Sequence, residues 1–173
     1  MNDLKKGLAK MRKGFMRIIA FFALIATTSL SFGLKAQELM YGASISLEKT
    51  KLVVARAEAE AARNKWFIVV TVVDSGGHIV VVHRMDGAQY GSIELAERKA
   101  LTALNFKRPT KDLEGVVAQG GIGATYLTIP NAALIRGGVP IVVDNKIVGA
   151  IGISGASPAQ DEQVALAAIA DLK

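Results

Sequence analysis

The stretch WFIVVTVVDSGGHIVVVHRMDGA, Trp66 to Ala88, holds two apolar runs separated by a turn. The first, Phe67 to Val73, is almost unbroken, so a strand spanning Trp66–Val73 is buried on both faces and central in its sheet. Asp74-Ser-Gly-Gly77 supplies the residues of a tight hairpin, and His78 to Met85 returns as the antiparallel partner. Two strands joined by a turn rather than by a helix set the theme of the fold.

The flanks extend it. Ser46 can cap a helix running to about Asn64, with Leu47, Val54, Ala57 and Ala61 on one stripe. A second helix is expected from Ser92 to Phe106, where Ile93, Ala96, Ala100, Ala103 and Leu104 share a face and Glu94 and Arg98 form an i,i+4 pair. Pro109-Thr110 opens a short helix through Ala118, and Gln119 to Thr125 reads as a loop without dinucleotide-binding glycine spacing. Tyr126–Ile129 and Ala132–Ile135 are short strand candidates, and Gly137-Gly138-Val-Pro140 reads as a turn. Ile141–Val143 and Lys146–Ser154 pair across Asp144-Asn145. Ser157-Pro158-Ala159-Gln160 carries the cap, first-turn proline and N3 glutamine of a helix start. Hairpins interleaved with helices define an α+β class with a mainly antiparallel sheet, not a doubly wound nucleotide fold.

Charge is uneven along the chain. The net charge is +6, but seven of the 21 basic residues and only one of the 15 acidic ones precede Gln37, leaving fourteen of each beyond it. A neutral body gives no footing for nucleic-acid binding. The basic start followed by an apolar run of about 13 residues from Ile18 has the form of an export signal and is short for a bilayer span. Residues 1–36 are therefore expected to be a signal peptide cleaved near Ala36, and residues 37–173 a single periplasmic or secreted domain. The chain has no cysteine, which excludes disulfides and a lipid-modified cysteine anchor.

The chemistry-bearing residues are few. His78 and His83 are the only histidines. Regular alternation puts His78, Val80, Val82 and Arg84 on one face of their strand and Ile79, Val81, His83 and Met85 on the other. The pair then cannot chelate one metal, and no zinc set is available. Each histidine is either a rim residue satisfied by hydrogen bonds or a single axial ligand to a planar cofactor, which needs only one imidazole. Arg84-Met-Asp86-Gly-Ala88, ahead of a helix, sets a cation where carboxylates are favoured, and Lys99 can add charge; a surface Arg84–Asp86 ion pair is the plainer alternative. Gly149 and Gly152 mark close approach of a helix, a subunit or a flat ligand to their strand. Nothing resembles a nucleophile elbow or a catalytic triad.

DSGGHIVVVHRMDGA, ERKALTALNFKRPT and RGGVPIVVDNKIVGAIGISGASPAQDEQVA, three motifs in order between Ile45 and Leu172, resemble the GlcG/HbpS family, related to the C-terminal domain of PduO. The resemblance implies a profilin-like antiparallel sheet of about five strands covered by helices, assembled as a homo-oligomer. It also implies haem binding, in some members linked to haem degradation or extracellular redox sensing. A further reading, resting on export alone, makes the protein the partner of a membrane sensor. The family's shared residues fall on Asp74, Gly77, Arg84, Asp86, Ala88, Lys99, Gly137, Gly138, Gly149, Gly152, Ser154, Gly155 and Asp161. A PduO-like domain is expected to offer a histidine from its first helix, and Ser46 to Asn64 contains none. The expectation is thus an exported haem-binding protein with His78 or His83 as ligand and Arg84 and Lys99 toward the propionates. The alternative is an enzyme for a small hydroxy- or oxo-acid, with an anion site drawn from Arg84, Asp86, Lys99, Gly137, Gly138 and Asp161.

Overall fold

The computed structural model describes residues 39–170 and Leu172; the signal-peptide reading of residues 1–36 lies outside them. The elements are β1 (Met40–Tyr41), α1 (Leu47–Asn64), β2 (Val69–Asp74), β3 (Ile79–Arg84), α2 (Gly91–Phe106), α3 (Thr110–Ala118), a 3-10 segment (Gly121–Thr128), β4 (Gly138–Val143), β5 (Lys146–Ser154) and α4 (Pro158–Ile169).

β5, the longest strand, is the spine of the sheet. Along one edge it pairs antiparallel with β4, from Gly138↔Gly152 to Val143↔Lys146. Its other edge carries β2, also antiparallel, and past the end of β2 the two-residue β1 in parallel at Lys146 and Ile147. β3 pairs with β2 and forms the opposite border. The fold is α+β with a five-stranded, mainly antiparallel sheet, as expected; only the short β1–β5 pair is parallel. β2 is central and buried from Val69 to Val73, as its unbroken apolar run requires.

Helices cover both faces. Val53, Val54, Ala57 and Ala61 of α1 recur at helical spacing and pack with Val164, Ala165 and Ala168 of α4 over Val70, Val72, Ile151 and Ile153. Ser46 caps α1 by accepting from the Lys49 N–H at 3.2 Å. The other face takes α2, whose Ala100 and Ala103 lie on Val73, Ile147 and Ala150. α4 starts where expected: Ser157 is its cap, Pro158 follows, and the Gln160 side chain accepts from the Ser157 N–H at 3.0 Å.

Three expectations are corrected between residues 119 and 140. Residues 121–128, read as loop and then strand, form the 3-10 segment; the Thr125 hydroxyl donates to Ile122 O at 2.6 Å and that of Thr128 to Thr125 O at 2.8 Å. These back-bonds tighten the chain and override the strand preference of Tyr126 to Ile129. Ala132–Ile135 is no strand either, because the Ala133 N–H donates to the Thr102 hydroxyl of α2 at 2.9 Å instead of to a neighbouring strand. The expected Gly137–Pro140 turn shrinks to Gly137, at φ 115°, and Gly138 already belongs to β4. Pro140 is tolerated there because β4 borders the sheet.

Candidate functional site

The β2–β3 ladder shifts register between Val72 and Val73: Val72 opposes Val81 while Val73 opposes Ile79. Val80 is the extra residue of this bulge, and both Val80 and Val81 pack on the α1 side of the sheet. The bulge overturns the alternation expected from the sequence. His78, five residues from His83, returns to the face that His83 occupies, about 16 Å away at strand rise, still too far to share a metal.

The two imidazoles have different surroundings. The His78 side chain is 84% exposed, with Nδ1 3.5 Å from Asp74 Oδ1 in the hairpin turn. That carboxylate also accepts from the N–H groups of Gly76 (2.8 Å) and His78 (2.9 Å). The His78 backbone bond, with smaller help from Gly76 and the imidazole, holds the Asp74 carboxyl below its ordinary value despite some burial. This is turn chemistry. His83 instead faces a helix: its Nδ1 lies 3.0 Å from Glu58 Oε1, and its ring is 55% exposed. It borders a groove of about 270 Å3 between α1 and β3. Lys51, Val54, Ala55 and Glu58 recur every three or four residues along α1 and form one wall, while Val81 and His83, two apart on β3, form the other. Val54, Ala55 and Val81 make an apolar floor, with Lys51, Glu58 and His83 as its polar rim.

Arg84 points to the opposite side of β3. Its Nη1 donates to Ala88 O at 3.3 Å and its guanidinium lies 5.1 Å from the centre of the Tyr90 ring, so it orders the turn into α2. Asp86 is exposed in that turn.

Lys99, Asp161, Gly137 and Gly138, all named from sequence for the anion site, converge in the interior. Lys99 Nζ donates to Asp161 Oδ2 at 2.7 Å and to Ile153 O at 2.9 Å, and Asp161 Oδ1 accepts from the Ala156 N–H at 3.0 Å. The two side chains are 1% and 3% exposed. A Cβ on Gly137 would stand 2.9 Å from Nζ, and one on Gly138 would stand 2.2 Å from Lys99 O. The cluster is therefore a closed knot that joins α2, β5 and α4, with its lysine directed inward to Asp161. Burial pushes the Asp161 carboxyl above its ordinary value, against the hydrogen bond and charge of Lys99, which pull it down. Arg84 and Lys99 thus do not meet at one anion site.

Sequence reasoning missed Glu58 and Lys51, because helical spacing alone does not say which strand a polar rim will face. It also missed the charge network of Lys111, Glu114, Arg136 and Glu162 that ties α3 and α4 to the segment before β4. Other hollows occur among the described residues. One, of about 370 Å3, lies beside Gly42–Ser46 and Lys146; another, of about 320 Å3, lies between Arg98 and Pro130. Neither contains a residue singled out for ligand chemistry. No group of three or more histidine and carboxylate side chains suited to a metal ion occurs among the described residues.

An α+β domain with one imidazole over an apolar groove is the class of protein defined so far, and comparison with known proteins narrows it. The family described as "Haem degrading protein HbpS-like" matches residues 45–170, and the chain belongs to it. Protein GlcG of Escherichia coli K12 is 38% identical over 110 residues, 64% of this chain and 81% of that protein. Among solved structures, a double mutant of Streptomyces reticuli HbpS superposes with a TM-score of 0.70 at 34% identity, covering 80% of this chain and 94% of that one. A PduOC:haem complex gives 0.69 at 31% identity, covering 75% and 96%.

Proposed function

We propose that this domain binds haem in the groove between α1 and β3, with His83 offering the axial imidazole and Lys51 a cation for a propionate. The observation that carries the reading is the His83 ring, half-exposed over a floor of Val54, Ala55 and Val81. One nitrogen ligand over an apolar bed is what a haem iron and its macrocycle require of a protein. Haem binding by the PduOC relative supports the choice of ligand. The groove wall is the first helix, the element from which a PduO-like domain is expected to offer its histidine; in this chain the imidazole comes from the facing strand. Bound haem supplies the redox and ligand-exchange chemistry of its iron; the chain's own part is to orient one imidazole and keep water from one face.

At about 270 Å3 the groove is slightly smaller than ordinary small-molecule pockets, so a haem seated there stays partly uncovered. A homo-oligomer in which a second copy covers the open side belongs to the same proposal. So does export, for which the basic and apolar start of the chain is the support.

Haemin titration of residues 37–173, followed at the Soret band, tests the reading. Wild type and His78→Ala should bind saturably and alike. His83→Ala should weaken binding by about 100-fold or more, since groups that merely orient a ligand contribute about 10–100-fold. A Soret band unchanged in His83→Ala contradicts the site, and a haem-loaded protein that remains a monomer contradicts cover by a second copy.

A further inference from the structure

We infer that Glu58 is the positioning residue of this groove: its carboxylate holds His83 in the Nδ1–H form and so leaves Nε2 as the ligating atom. The consequence for haem rests on the reading above, whereas the tautomer is a property of the chain alone.

Glu58 Oε1 lies 3.0 Å from His83 Nδ1. A carboxylate can only accept, so the nitrogen facing it carries a proton, and in the neutral ring Nε2 keeps the lone pair. The contact joins two elements distant in sequence: Glu58 arrives from α1 one turn beyond the Val54 and Ala55 that floor the groove, and His83 from the edge strand. The other charged group of the rim is Lys51, two turns earlier on the same stripe. A carboxylate behind a ligating imidazole orients the ring and makes it a stronger donor.

Long-range 1H–15N spectra of the haem-free protein at pH 8 read the tautomer directly. Wild type is expected to show His83 with Nδ1 protonated. Glu58→Ala should move it to the Nε2–H form that an unconstrained histidine side chain prefers, and Glu58→Gln, which keeps an acceptor without the charge, should retain Nδ1–H. In haemin titrations Glu58→Ala should weaken binding about 10-fold or more. Glu58→Gln should recover part of that loss yet leave the bound iron at a higher reduction potential than wild type, because the ring has lost its anionic partner. An Nε2–H ring in wild type, or a tautomer and affinity indifferent to Glu58→Ala, overturns the inference. If the tautomers behave as stated but haemin binds regardless of His83, the haem reading falls and the role of Glu58 in fixing the ring stands.

Discussion

Gly152→Ala is expected to cost on the order of 4 kcal/mol and to lower the melting temperature by about 15 °C. A Cβ at this position would stand 1.9 Å from Ala96 O and 2.6 Å from Ala100 N, both backbone atoms of α2. Neither can swing aside as a side-chain tip would, so the helix has to lift from β5. That movement would loosen the packing of Ala100 and Ala103 on Val73, Ile147 and Ala150. Few single substitutions reach this size, and overpacking against backbone that cannot move is one of the few causes that produce it. Gly115→Ala serves as the control: a Cβ there meets nothing within 4 Å, and its place inside α3 should make alanine stabilising by about 0.5–1 kcal/mol. Urea unfolding of the two variants checks the contrast; a Gly152→Ala protein as stable as wild type would show that α2 does not lie on the strand at this distance.

Lys99→Met should be comparably damaging, at about 3–5 kcal/mol near neutral pH, because it strands the Asp161 carboxylate in the interior. Asp161 already has its carboxyl raised above 3.8 by burial, and Lys99 is what pulls it back. Removing the lysine raises it further. A carboxyl raised in the folded state favours folding while protonated, below its unfolded value near 3.9, and that contribution is lost as pH rises through the folded value. The deficit of Lys99→Met relative to wild type should therefore shrink as pH falls toward 4 and grow toward neutrality. The double variant Lys99→Met/Asp161→Asn, neutral throughout, should regain more than half of the loss at pH 7 and show a flatter pH profile. Equal deficits at pH 4.5 and pH 7.5 would contradict this account of the buried pair.

Much of the fold was legible because the core elements agree with their local patterns. The unbroken Phe67–Val73 run marks the central strand, Ser157-Pro158 with Gln160 marks the start of α4, and the alanine face of α2 together with Gly152 announces a helix resting on a strand. β1 escaped because two residues carry no period; Tyr41 is placed by its hydroxyl, which donates to Leu104 O at 2.9 Å, and by the Lys107 ammonium over its ring. The 3-10 segment escaped because threonine hydroxyls turned back on their own chain where β-branched residues suggested a strand.

The candidate site was half legible. His83 could be named from sequence, but its face could not be assigned relative to His78, since a bulge at Val80 leaves no mark in an all-valine run. Lys99 and Asp161 could both be named as charges for an anion site, but their mutual burial is a tertiary fact, and it removes them from any open anion site. Glu58 could be found only once α1 and β3 were set side by side.

The most direct test of the His83 groove is the map of paramagnetic broadening that ferric haemin produces in the 1H–15N spectrum of residues 37–173, with the diamagnetic gallium porphyrin as reference. The account predicts broadening centred on Lys51–Glu58 of α1 and Val81–His83 of β3, with the Lys99–Asp161 knot little affected. Broadening centred instead on Arg98–Phe106 with Ile129–Ala132, or on Gly42–Lys49 with Val143–Val148, would contradict it and move the site to the corresponding hollow.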